Sequence, residues 1–140
     1  MSSQFGFWIW GTIIAQILSA VSHSLSFFAK QTPRNDTEKQ LIELTTKYKS
    51  DLGAGFKRSF WELFNGVSAC FTAIYVFGAA LNWYLVSSHL DPGTWNGILL
   101  IELILYGLLF IIMIRFTFLP PIIVTGLVAI FLAGTYFFGR

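Results

Sequence analysis

Charge and cysteine are what this sequence has least of. Only 11% of its 140 residues are charged, less than half the roughly 25% of an ordinary soluble domain. Its one cysteine, Cys70, has no partner for an internal disulfide, and no CxxC or Cys/His spacing accompanies it. A disulfide-built secreted domain and a zinc module are therefore excluded, and no metal site is expected. The net charge of +2 is too small to point to nucleic acid. No Gly-rich phosphate loop, HExxH or Ser-His-Asp order is present, so no familiar catalytic motif is on offer. Apolar surface dominates instead, at 55% hydrophobic and 18% aromatic residues, with mean hydropathy +0.66. That excludes a disordered chain and an ordinary soluble enzyme. One domain over 1–140 is the default at this length.

Four apolar stretches, about 5–29, 59–86, 95–114 and 116–138, are long enough to cross a hydrocarbon core, which takes roughly 20 helical residues. The first has no basic n-region and is too long for a signal-peptide core, so it is expected to be retained. Amides in lipid must be satisfied within the segment, which dictates helices. The short alternating segments of a barrel are missing. The two halves show no internal similarity, which speaks against an inverted-repeat transporter. The expected fold is an all-α, four-transmembrane-helix bundle.

Seven of the nine basic residues, Lys30, Arg34, Lys39, Lys47, Lys49, Lys57 and Arg58, lie between the first two spans, whereas only Arg140 lies on the opposite side. The positive-inside rule places the 30–58 loop in the cytoplasm and both termini outside. The expected location is a bacterial inner membrane. Within that loop Pro33 breaks the chain, Asn35 or Asp36 can cap, and Glu38 follows in the first turn. Leu41, Leu44, Tyr48 and Leu52 then recur at three- and four-residue spacing. This predicts an amphipathic helix over 36–52, ended by Gly53 and Gly55. It can lie in the headgroup layer with its lysines toward anionic lipid, or pack on the ends of the spans. Trp8, Trp10, Trp83, Tyr84, Trp95 and Tyr136 all fall near the proposed outer interface, where aromatic rings anchor helices. His89 sits in the outer turn with Asp91, Pro92 and Gly93 and reads as turn chemistry.

Polar groups within a span are costly and therefore informative. Thr12, Gln16, Ser19, His23 and Ser26 share one face of the first helix, and Arg58, Glu62, Asn65 and Thr72 share one face of the second. Arg58 and Glu62 are one turn apart and can pair. Antiparallel helices would bring His23, Ser26, Arg58, Glu62, Asn65 and Arg115 into one layer near the cytoplasmic boundary. An imidazole beside a carboxylate and a guanidinium can hold an anionic headgroup or relay a proton. The competing structural role is helix–helix glue. Glu102 stands apart, with Tyr106 one turn on; it is expected to be protonated and hydrogen-bonded, a candidate proton-active group. Cys70 is mid-span and expected to be inert. Gly78 with Ala79, and Gly126 with Gly134, look like small-residue packing faces. No cofactor is expected, although His23 can supply a single axial ligand to a haem or chlorin.

The run Lys57-Arg58-Ser59-Phe60-Trp61-Glu62-Leu63-Phe64-Asn65-Gly66, a histidine late in the first helix, and Phe118-Leu119-Pro120-Pro121 opening the last resemble an uncharacterised family of small four-helix bacterial integral membrane proteins. The resemblance implies a four-helix fold and importance for His23, Arg58, Ser59, Trp61 and Glu62, without an activity. Four-helix lipid-isomerase and DoxX-like families are similar in size only. The leading expectation is a non-catalytic accessory or scaffolding subunit, or a lipid-binding module, whose partners are membrane lipids and either another protein or further copies of the chain. The alternatives are an enzyme or proton-linked carrier for a lipid-like or small anionic substrate using His23, Arg58 and Glu62, and pigment or haem ligation by His23.

Overall fold

A computed structural model describes residues 3–28, 31–88 and 90–138. Lys30, His89 and Arg140, which entered the charge and turn arguments, lie outside the described residues. Helix α1 runs Ser3–Leu25 and ends in a 3-10 turn at Ser26–Phe28, and α2 runs Asp36–Lys47. Strands β1 (Lys49–Asp51) and β2 (Lys57–Ser59) follow, then α3 (Phe60–Ser87), α4 (Pro92–Phe116) and α5 (Leu119–Phe138). Four helices among the described residues, Gln4–Phe28, Phe60–Ser87, Pro92–Phe116 and Leu119–Phe138, are long and apolar enough to cross a membrane.

The loop departs from the all-α expectation. Its helix stops at Lys47 rather than reaching residue 52, and the chain turns into an antiparallel hairpin pairing Lys49 with Ser59, Ser50 with Arg58 and Asp51 with Lys57. Three consecutive residues with positive φ, Gly53 (86°), Ala54 (51°) and Gly55 (82°), reverse the chain. Two glycines make that reversal cheap. Leu52 N–H then donates to Phe56 O at 2.9 Å, and Gly53 N–H donates to Asp51 Oδ1 at 2.9 Å. With so sharp a reversal, pairing the two arms is how their amides are satisfied, so Tyr48 and Leu52 leave the helical stripe.

Capping explains where the helices begin. Asn35 Oδ1 accepts from Glu38 N–H at 2.8 Å, while Arg34 N–H donates to Glu38 Oε2 at 2.6 Å. At α3, Glu62 N–H donates to Ser59 Oγ at 3.2 Å and Ser59 N–H to Glu62 Oε2 at 2.8 Å, a reciprocal capping box. Asp91 caps α4 by accepting from Gly93 N–H at 2.9 Å and Thr94 N–H at 3.0 Å, with Pro92 in the first turn. Proline costs nothing there, because that N–H has no helical partner to lose.

Helix α1 is central, packing on both α3 and α5, while α4 packs on α5. Its apolar core joins Ile9, Ile13, Tyr75, Leu99, Tyr106, Val128 and Leu132. Close approach is made by glycines receiving aromatic rings. A Cβ on Gly11 would lie 2.4 Å from the Phe131 ring, on Gly134 2.1 Å from the Trp8 ring, and on Gly126 2.9 Å from the Phe110 ring. The small-residue faces are thus filled from within the chain. At one end of the bundle, edge-on pairs Phe5–Trp95 and Trp10–Trp83, each at 5.3 Å, tie α1 to α4 and α3. These contacts join the start of α1, the end of α3 and the start of α4, as an up-down-up-down bundle requires.

Gly134→Ala is expected to lower stability by about 1–3 kcal/mol through overpacking against Trp8. Gly66→Ala, where a Cβ meets open space, should be neutral or stabilising; unfolding curves in detergent micelles compare the two. A pH series reads the α4 cap. The Thr94 hydroxyl and then the Thr94 and Gly93 amides hold the Asp91 carboxyl below its ordinary range. Its contribution is full above the unfolded carboxyl pKa and is lost as pH falls through the lowered folded value. Asp91→Ala should lower the unfolding midpoint near neutrality and remove that acid-side loss.

Candidate functional site

The residues expected to gather near the cytoplasmic boundary are not brought together. Glu62 is exposed, its carboxylate engaged by the Ser59 amide and by Lys49 Nζ at 3.4 Å. Arg58 is not on the helix at all but on β2, opposite Ser50, and it makes no ion pair with Glu62. The expected pair fails because Ser59 ends the strand and begins the helix, so residues 58 and 62 do not share a helical face. Ser26 lies in the 3-10 turn and donates to His23 O at 2.7 Å. Asn65 is half-buried and its Oδ1 has no hydrogen-bond partner. Arg115 is exposed in the last turn of α4, its guanidinium 5.6 Å from the Phe116 ring.

His23 turns inward to α3, not outward from the bundle. Its ring stacks on Phe71 at 5.2 Å and on Tyr75 at 5.7 Å, both nearly parallel. The imidazole therefore sits against aromatic faces one helical turn apart, with Nε2 buried and unpartnered. Tyr75 in turn stacks on Tyr106 at 5.5 Å. Near this level Ser24 Oγ of α1, outside the expected stripe, lies 3.4 Å from Thr72 Oγ1 of α3.

A different cluster occupies the interior. Asn82 Nδ2 on α3 donates to Glu102 Oε2 on α4 at 2.7 Å and lies 3.2 Å from Gln16 Oε1 on α1. The same amide reaches Gly78 O at 3.1 Å. Gln16, Asn82 and Glu102 are all buried. Tyr106, one turn beyond Glu102, donates to Ile74 O of α3 at 3.0 Å. Gly78 makes room for the arrangement, since a Cβ there would lie 2.1 Å from the Tyr106 hydroxyl and 2.6 Å from Gln16 Nε2. Glu102 is seven residues past Trp95 and Gln16 six past Trp10, so the cluster lies roughly 10 Å inward from the aromatic end at 1.5 Å per residue.

The remaining polar residues of α1 bond to α5 and to their own helix. Thr12 Oγ1 meets Thr135 Oγ1 at 3.3 Å, and Ser19 Oγ bonds Ala15 O at 2.8 Å and Val124 O at 3.4 Å. Thr12, Gln16 and Ser19 do face the interior as their spacing indicated, but toward α5 and the far half of α3. Asn82 was missed by sequence reasoning. Its signal was available, a lone carboxamide in an apolar helix half. The Ser59-x-x-Glu62 spacing was equally a legible capping box, and it accounts for Glu62 without any partner from α1.

Between α3 and α4 a groove of about 480 Å³ has Glu102 and Tyr106 in its lining. A second groove of about 610 Å³ between α1 and α5 is lined by apolar side chains and glycines. Cys70 is exposed on α3. Compared with known proteins, the chain matches no family model, no curated sequence and no solved structure.

Asn82→Leu should cost about 1–3 kcal/mol, because it leaves the Glu102 carboxyl buried without a donor. That exceeds the average of about 0.6 kcal/mol for an interhelical bond in a membrane. Asn82→Leu combined with Glu102→Leu should recover part of the loss, and unfolding of the single and double variants in one micelle system measures the difference.

Proposed function

We propose that this chain is a lipid-binding membrane module that serves a larger complex as a non-catalytic accessory or scaffolding subunit. In this reading α2 and the β1–β2 hairpin lie in the cytoplasmic headgroup layer of a bacterial inner membrane, with both termini outside. The observation that carries it is the exposure of the apolar side chains Leu41 and Leu44 on α2 and of Tyr48, which caps its end. Ile42, Thr45 and Thr46 are partly buried, whereas Leu41, Leu44 and Tyr48 are 59%, 64% and 66% exposed. Had these packed on the ends of the spans, all three would be covered. Leu52 and Phe56 flank the hairpin turn and are exposed as well. Lys39, Lys47, Lys49, Lys57 and Arg58 accompany this apolar set, the combination that suits an anionic surface.

The accessory role draws support from how the interior polar groups are used. Asn82 bonds both Gln16 and Glu102, Thr12 bonds to Thr135, and Glu62 is occupied at the α3 cap. Such bonds hold helices in register. They leave His23, Arg58 and Glu62 without the mutual geometry that acid–base work demands. An extensive exposed apolar surface along all four long helices is left for lipid and for neighbouring proteins.

Reconstitution into nanodiscs of mixed anionic and zwitterionic lipid, followed by native mass spectrometry, tests the proposal. The wild-type protein should retain anionic lipid in preference. Reversal of Lys39, Lys47, Lys49 and Lys57 to glutamate should abolish that preference, since each lysine near an anionic surface is worth about 1 kcal/mol. Equal retention of both lipids by the wild type would sink the lipid-binding reading. Material extracted gently from membranes should carry a stoichiometric protein partner if the accessory role holds, and an isolated monomer would refute that role.

A further inference from the structure

We infer that the groove between α3 and α4 is a laterally entered site for a lipophilic amine, whose ammonium group is received by Glu102. The groove is built from two antiparallel edges, Ala73 to Leu81 on α3 and Ile98 to Tyr106 on α4. Each edge spans nine residues, eight steps of helical rise or roughly 12 Å. Its rims are open, with Phe77 68% and Ile101 69% exposed, whereas Glu102 in its lining is 5% exposed. A volume of about 480 Å³ falls within the range of small-molecule pockets. The shape admits an alkyl chain lying along the helices from the surrounding hydrocarbon, while its one charged lining residue selects the head group.

Charge complementarity decides which head. Glu102 Oε2 is held by Asn82, and no hydrogen bond among the described residues reaches Oε1. The Tyr106 hydroxyl is turned to Ile74 O and gives the carboxyl no proton. The ion pairs among the described residues are Lys47–Glu43 and Lys49–Glu62, both outside the interior. The cation on the same helix, Arg115, is thirteen residues away, roughly 20 Å along the axis. A carboxylate in so apolar a place must be neutralised by a proton or by a cation brought to it. A primary amine on an apolar chain supplies a cation and three donors from the one direction the groove leaves open, while Asn82 stays in place behind the carboxyl.

Radiolabelled dodecylamine, with dodecanol as the uncharged control, tests this on the full chain in phosphatidylcholine nanodiscs, where anionic-lipid binding plays no part. Saturable amine binding above that of empty discs is expected, at least tenfold weaker in Glu102→Gln. It should also be lost in Ala73→Trp, which fills the groove from α3 without touching the carboxyl. In the wild-type protein dicyclohexylcarbodiimide should modify Glu102, and saturating dodecylamine, not dodecanol, should suppress that modification at least tenfold. This protection arm needs no variant and decides the matter if the substitutions prevent folding. No modification of Glu102 would mean that the groove is closed to lipid-borne molecules and would overturn the inference. So would equal protection by dodecanol, or disulfide cross-linking of Ile101→Cys between copies, which would show a second helix occupying the groove.

Discussion

A single carboxamide holds the interior together. Asn82 stands where α1, α3 and α4 meet, and it reaches both Gln16 and Glu102. In water those three side chains would each be hydrated at little cost. Within an apolar bundle they have one another and the Gly78 carbonyl, and an unmet polar group there is costly. That constraint dictates the rest of the packing. Gly78 has to lack a side chain so that Tyr106 and Gln16 can enter, and Tyr106 has to turn its hydroxyl to Ile74. The central position of α1 follows, since it alone among the long helices offers polar residues toward both α3 and α5.

The two ends of the bundle are made differently. At the end holding the start of α1, aromatic side chains meet across helices, and glycines admit their rings. The other end is elaborated by α2 and a hairpin whose apolar side chains remain uncovered. One end is thus closed by self-packing, and the other presents basic and apolar groups outward. A lipid-binding accessory role fits that asymmetry, because specificity for lipid charge needs chemistry at the headgroup level, while the hydrocarbon level needs only surface. The proposed site in the groove beside Glu102 would add a second kind of recognition at a different depth, made by one carboxyl rather than by a field of lysines.

Sequence reasoning went wrong at the polar residues in instructive ways. Arg58, Glu62 and Asn65 were assigned to one helical face by counting residues, and the count ran across a boundary. Ser59 closes a strand and caps a helix at once, so the periodicity is undefined through it. The Ser59-x-x-Glu62 signature marks that boundary, and a carboxyl claimed by its own helix start has little left to offer a partner. His23 was placed correctly on the inner face of α1. The identity of its neighbours, Phe71 and Tyr75 rather than a carboxylate, depends on how far α1 and α3 are displaced along their axes. A one-turn displacement between two apolar rods leaves every hydropathy pattern unchanged.

What the sequence determined by itself is whatever depends on a single segment. Length and apolarity yielded four long helices, Asn35 offered a cap, and Gly53 with Gly55 marked the end of the loop helix, because each rests on local geometry or on transfer of one segment out of water. The partners of Gln16, Glu102 and His23, and the ending of the loop helix at Lys47 in favour of a hairpin, were decided only by tertiary structure. Those outcomes turn on the relative rotation and axial offset of elements far apart in the chain. Hydrophobic burial is blind to direction, so it selects helices without selecting which residue meets which. Hydrogen bonds and ring contacts a few ångströms long make that choice, and they exist only once the helices have met.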